Sequence, residues 1–189
     1  MADWRELRTL SKEELMKVKY NDPRLDSFAT EVEARYGLPP GLIEAVKNAG
    51  ERSNTNQVSG KGAKGVMQFM DSTRKLYPHD YKNPLESIDA AGQYFADLSK
   101  QYNGNAKAMI FHYNGGTSAG KLGMKGEKAP TDETNNYWSR LQDYMKKKEE
   151  TAKPVEPVKP AEESLMDKVK RVAPPAVGGG GELVSDVFK

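Results

Sequence analysis

Between Asn83 and Gly104 the apolar residues Ile88, Ala91, Phe95, Leu98 and Tyr102 return every three or four positions. An α-helix turns once per 3.6 residues, so this spacing lays them along one face. A helix with so continuous an apolar face needs other elements to cover it, and the rest of the chain offers helices. Leu25, Phe28, Val32 and Tyr36 repeat the pattern, and Gly37 stands where a left-handed C-terminal residue is favoured. Pro39 and Pro40 separate that element from a third helix expected over 41–50, with Leu42, Val46 and Ala49 on one side. Ser11-Lys12-Glu13-Glu14 has the spacing of a capping box and predicts a helix start. Asn105 can cap a shorter helix carrying Ala108, Met109 and Phe111. A loop rich in Gly and Lys is then expected to about Pro130, its glycines serving either a mobile cleft wall or no particular purpose. Thr134 to Lys148 predicts a last helix with Tyr137, Leu141, Tyr144 and Met145 together. No run of alternating β-branched residues appears, so the expected fold is mainly α, a single helical domain with at most a small β element.

A chain of 189 residues suits one domain with a real core. Its 37% hydrophobic and 30% charged content is polar for a globular chain, which implies that part of the length is not packed. That part is expected at 149–189, where KPVEPVKPAEE reads as an extended linker and Gly178 to Gly181 interrupt any packing. Residues 164–172 could form a short amphipathic helix, which Pro174-Pro175 would end, and the apolar GELVSDVFK could dock on another protein. The remaining boundaries follow: an N-terminal helical segment over 1–35 packing on a domain over 36–148.

Residues 1–145 hold 20 basic and 19 acidic residues, which gives no one-sided basic field, so nucleic acid is set aside as a main partner. The absence of cysteine excludes disulfides, thiolate nucleophiles and cysteine metal sites. No metal site and no cofactor is expected, and His112 reads as structural. The beginning, MADWRELRTLSKEEL, lacks the apolar core of a secretory signal, and no apolar run approaches the roughly 18 residues of a spanning helix.

Glu51 is the residue on which function turns. On the wheel of a continued third helix it lies about half a turn from Leu42, Val46 and Ala49, the position of an ordinary solvated glutamate. Its neighbours argue otherwise. Glu51 to Thr73 reads ERSNTNQVSGKGAKGVMQFMDST. This resembles the E-S-G-F-N-P-N-A-V-S-P-K-G-A-x-G-L-M-Q-x-M-P-x-T stretch of lytic transglycosylases with the soluble-type catalytic domain, related in fold to goose-type lysozyme. Downstream, NPLESIDAAGQYF and AKAMIFHYNGG resemble the family's N-P-x-x-N-I-x-A-G-x-x-Y-L and A-x-A-A-Y-N-A-G segments, and TDETNNYW resembles its E-T-x-x-Y-V. These motifs stand in the family's order over roughly 36–145.

The resemblance implies an α+β lysozyme-like fold with a cleft. It also implies that the chain cleaves the bond between N-acetylmuramic acid and N-acetylglucosamine in the peptidoglycan glycan strand. Glu51 would be the catalytic acid, its pKa raised if it is buried near Met67 and Tyr113. Glycosidases usually pair two carboxylates. Here none stands out as the second, since Asp71 sits where the family has proline and Glu133 belongs to the E-T-x-x-Y motif. The family dispenses with one, because the sugar's own 6-hydroxyl attacks and leaves a 1,6-anhydro end. Ser59, Met67, Gln68, Tyr113 and Asn114 match positions that shape the cleft, and Tyr137 matches a tyrosine that orients the acid.

Two departures touch the acid: Arg52 replaces a serine, and one residue after Ser53 is missing. Arg52 either folds back and lowers the pKa of Glu51 or points to solvent. The alternatives are a lysozyme-like hydrolase and an inert glycan-binding protein silenced by Arg52. The absence of a signal together with the Pro/Gly-rich tail resembles transglycosylases carried in bacteriophage particles, acting in the host periplasm or cell wall, with 149–189 either a tether to other virion proteins or a disordered tail. A bacterial cytoplasmic enzyme released on lysis is the other location.

Overall fold

The structure is a computed structural model and describes residues 2–152. The chain opens with a 3₁₀ helix, Trp4–Thr9, capped by Asp3, which buries Trp4 and Leu7. The single turn α1, Lys12–Leu15, carries the complete capping box, with Ser11 accepting from the Glu14 N–H and Glu14 accepting from the Ser11 N–H. Helix α2, Pro23–Tyr36, starts on an Asp22 cap with proline in its first turn and ends at Gly37 in the left-handed region, φ 64°. Its apolar stripe of Leu25, Phe28 and Val32 faces inward, and the Phe28 ring lies 4.7 Å from Trp4.

The third expected helix is composite. A single α turn, α3 (Leu42–Ala45), passes directly into a π-helical turn, Val46–Glu51. Gly41 offers α3 no side-chain cap. The buried carboxylate of Glu33 takes that role from α2, accepting from the N–H groups of Gly41 and Ile43 at 2.7 Å and of Glu44 at 3.2 Å.

Helix α4, Asp71–Leu76, follows the loop that contains the first motif. The only pairing within that loop among the described residues is two isolated antiparallel bridges, Val58 with Lys64 and Lys64 with Phe69. Helix α5, Pro84–Gln101, is the one expected from periodicity, with Ile88, Ala91, Phe95 and Leu98 buried on its inner face. It crosses α2 closely at Gly92, where a Cβ would come within 2.4 Å of Val32 and 2.6 Å of the Tyr36 ring. Helices α6, Ala106–Met124, and α7, Asp132–Ala152, complete the layer over the core with Met109, Ile110, Tyr137 and Leu141.

The Gly- and Lys-rich stretch after Gly116 departs from expectation. Most of the expected loop is helical to Met124, after a break at Gly116 with φ 78° and ψ −175°. Its glycines serve close approach. A Cβ on Gly120 would lie 2.3 Å from the Tyr102 hydroxyl, and one on Gly123 would lie 2.8 Å from the Ala108 backbone. Small residues let the second half of α6 fold back onto its first half and onto Tyr102, which outweighs the poor helix propensity of glycine.

Helix α7 runs on through 149–152, the first residues of the expected linker. The rest of that linker, the short helix at 164–172 and the apolar end of the chain lie outside the described residues. No helix among the described residues is long and apolar enough to cross a membrane.

Candidate active site

Glu51 is the last residue of the π turn, and Arg52 closes the turn with φ 48°, its N–H donating to the Lys47 carbonyl at 3.0 Å. The π turn explains why the helical wheel misplaces Glu51. In an α-helix, a residue five positions on is rotated by roughly 140°. A turn closed by i→i+5 bonds instead brings it back under its starting residue. Glu51 is therefore turned back toward the side of Val46, whereas α periodicity turns it toward solvent.

It opens onto a cleft of about 760 Å³ whose walls also include Ser59, Gln68, Tyr113 and Asn114. Burial raises the Glu51 pKa from an ordinary carboxyl value to about 7. A hydrogen bond from the Tyr137 hydroxyl to Glu51 Oε1 at 2.7 Å opposes that rise, as does the positive charge of Arg140, while Glu133 adds to it. Arg52 is exposed and has no part in this balance, so it does not fold back on the acid as an ion partner.

The wall opposite is built by the motif loop. Ser59 Oγ accepts from the Ala63 N–H at 3.0 Å, and the Ser59 N–H reaches the Ala63 carbonyl at 2.8 Å, which ties the loop base. Gln68 adopts φ 47° and donates from Nε2 to the Gly65 carbonyl at 2.8 Å, locking a tight turn. Gly65 itself has φ 73°, and a Cβ there would sit 2.8 Å from the Tyr81 carbonyl oxygen. Met67 is fully buried and acts through its backbone, its carbonyl accepting from the Tyr113 hydroxyl at 2.5 Å. The Tyr113 ring stacks on Phe95 at 4.8 Å, so α5 supports the tyrosine from behind. Asn114 accepts from Thr134 Oγ1 at 2.8 Å, which links α6 to the first turn of α7.

Tyr137 is almost wholly buried and stands behind the acid, and burial followed by the charge of Glu51 pushes its phenol well above the usual range.

Three residues of this arrangement escape sequence reasoning. Gly50 admits the Tyr137 ring, since a Cβ there would fall 2.4 Å from the hydroxyl oxygen. Arg140 donates to the carbonyls of Ala49 at 3.2 Å and Gly50 at 3.5 Å, and its guanidinium lies 5.5 Å from the Tyr137 ring centre. It thus caps the C-terminal end of the π turn. Thr134 holds Asn114. The signals available were a glycine inside a helical pattern and an arginine three residues after Tyr137 on the same face.

Asp71 is explained as a helix start. It opens α4 and pairs with Lys64 at 2.8 Å and Arg74 at 3.0 Å, and proline and acidic residues both suit the first turn. Glu133 is largely exposed and sits 3.7 Å from Lys61 across the cleft mouth. Among the described residues no group of three or more His, Asp or Glu is arranged to hold a metal ion.

A mostly helical molecule with a partly buried carboxylic acid, hydrogen-bonded by a tyrosine and open to a cleft, has the features of a glycan-cleaving site. A family model described as the transglycosylase SLT domain matches residues 27–137, more than half of the chain, and the chain belongs to that family. Among curated proteins, a "Transglycosylase" of Enterobacteria phage PRD1 is 30% identical over 98 residues, covering 51% of this chain and 37% of that protein. Among solved structures, an inactive mutant of the lytic transglycosylase Slt from Pseudomonas aeruginosa superimposes with a TM-score of 0.56 at 19% identity. That superposition covers 75% of this chain and 31% of the other, and supports the fold. The chain thus spans about a third of the length of these two relatives.

Proposed function

We propose that the chain is a lytic transglycosylase that cleaves the β-1,4 bond between N-acetylmuramic acid and N-acetylglucosamine in peptidoglycan. The observation that carries this reading is Glu51, a carboxylic acid with a pKa of about 7, held by Tyr137 in the cleft that the family's motifs line. At neutral pH a substantial fraction is protonated and can donate to the leaving glycosidic oxygen. The ionised form then accepts the proton of the sugar's 6-hydroxyl as that oxygen attacks the anomeric carbon. The acid is restored and a 1,6-anhydro end is left without consuming water.

Among the described residues that line the cleft there is no second buried carboxylate, which favours this route. Glu133 lines the same cleft but is exposed and engaged by Lys61. A hydrolase would need such a group to activate water. Digestion of purified peptidoglycan, with the muropeptides weighed, tests the proposal. Anhydro ends are expected, and reducing ends would establish the lysozyme-like hydrolase instead. Glu51→Gln is expected to lower product formation by at least about a hundredfold. Unchanged cleavage by that variant would reject Glu51 in favour of another acid, and a parent that binds glycan without cleaving it would establish the inert alternative.

The kinship with a phage transglycosylase supports a role in virions, opening the host cell wall for genome entry, with residues 149–189 joining the enzyme to another virion protein. Removing 150–189 should then reduce co-purification with particles several-fold, and full incorporation of the shortened chain would end that idea.

A further inference from the structure

The family match begins at residue 27, yet the chain before it reaches the acid-bearing turn at several points. The peptide unit of Tyr20 is bound on both flanks of Glu51. Its carbonyl accepts from the Lys47 ammonium, four residues before the acid, and its N–H donates to Asn54 Oδ1 at 3.2 Å, three residues after it. Two residues earlier, the Val18 carbonyl accepts from the Thr55 N–H at 3.4 Å and from Thr55 Oγ1 at 2.9 Å. Residues 47–55 therefore form an arch that carries Glu51, with both feet fastened to Val18–Tyr20.

Lys47 is central to this fastening. Its side chain is fully buried, and its ammonium also reaches Asp26 Oδ1 at 2.7 Å and Asn48 Oδ1 at 2.5 Å. Its own carbonyl accepts the Arg52 N–H that closes the π turn. A buried ammonium is costly unless it is paired and hydrogen-bonded, and an apolar side chain of similar length would fill the space without that cost. The packing of the N-terminal segment has a separate basis in Trp4 and Leu7, both sunk in the core against α2.

We infer that Lys47 is a positioning residue for the reaction, and that Val18–Tyr20 is a working part of the active site, the base that fixes where the Glu51 carboxyl stands in the cleft. The inference rests on the acid/base role of Glu51. Since displacement of a reacting group by about 1 Å can cost a hundredfold in rate, loosening either foot should appear in turnover more than in substrate affinity.

The test compares full-length parent, Lys47→Met, Asn54→Ala and Leu7→Ala on a soluble glycan strand of defined length. It records kcat, KM, the pH profile of kcat/KM and the melting temperature. Lys47→Met is expected to lose about tenfold or more in kcat and Asn54→Ala about threefold, with KM within about twofold of the parent. In both, the basic limb of the profile should move to lower pH, because a carboxyl freed to turn toward water loses the burial that raises its pKa. Leu7→Ala should melt earlier yet keep kcat within about twofold. Parent-like kcat and pH profile in folded Lys47→Met would overturn the inference, as would an equal loss of kcat in Leu7→Ala. If Lys47→Met does not fold, Asn54→Ala decides on the same readouts. A parent that cleaves no glycan, or a fully active Glu51→Gln, would instead refute the acid assignment itself.

Discussion

At the scale of single residues, the acid is a balance of opposed influences. Burial holds the proton on Glu51, while the Tyr137 hydroxyl and the Arg140 charge favour its release. A general acid must be protonated to work, so cleavage should fall as pH rises past about 7, and a pH profile of kcat/KM would show the limb there. In Tyr137→Phe the hydrogen bond that favours the ionised form is gone. The limb should then move to higher pH, while kcat drops by about tenfold because the carboxyl loses its orienting partner. An unshifted limb in that variant would mean that the tyrosine acts on something other than the acid. The sequence made this residue pair legible only through motif resemblance. Nothing in the spacing of Glu51 and Tyr137, 86 positions apart, announces a 2.7 Å contact.

Among elements, the π turn is where pattern and structure part company. The helices α2 and α5 were readable because their stripes keep α periodicity from cap to cap. Val46–Glu51 was not, because an i→i+5 turn rotates the last residues away from where a regular wheel puts them. The stretch after Gly116 failed for another reason: local composition suggested a loop, and tight tertiary contact of Gly120 and Gly123 made a helix of it. Gly50 joins both themes, being the small residue that brings the Tyr137 ring against the π turn. Gly50→Ala places a Cβ inside the ring's contact distance and should cost about 1–3 kcal/mol of stability. It should also separate Tyr137 from Glu51, so a thermal melt and a glycan-cleavage assay on one preparation should both fall. A variant that melts earlier but cleaves at the parent rate would show that the ring can shift without releasing the acid.

For the whole molecule, an active site that holds a proton tightly works against stability at higher pH. The folded-state pKa of Glu51, about 7, lies above its ordinary value of 4.5, so the folded chain binds that proton more tightly than the unfolded one. The resulting stabilisation is intact below about pH 4.5 and is lost progressively as pH rises to about 7. Glu51→Gln removes this dependence and should be more stable than the parent by about 1–3 kcal/mol at pH 8, with the gap closing below pH 5. Denaturant titrations at the two pH values would measure it, and a constant gap would mean that the carboxyl is solvated. The helical class was plain from the sequence, because apolar stripes with clear caps recur along the chain. The support that Val18 and Tyr20 lend to the arch was not, since it runs through backbone groups that every residue type carries. The order of synthesis gives the span from Glu51 to Tyr137 a further meaning. Chains grow at about 5–20 residues per second, so roughly 4–17 s separate the making of the acid from the making of the tyrosine that orients it. Until α7 emerges and docks, a nascent chain carries the Glu51 carboxylate without the hydroxyl that holds it.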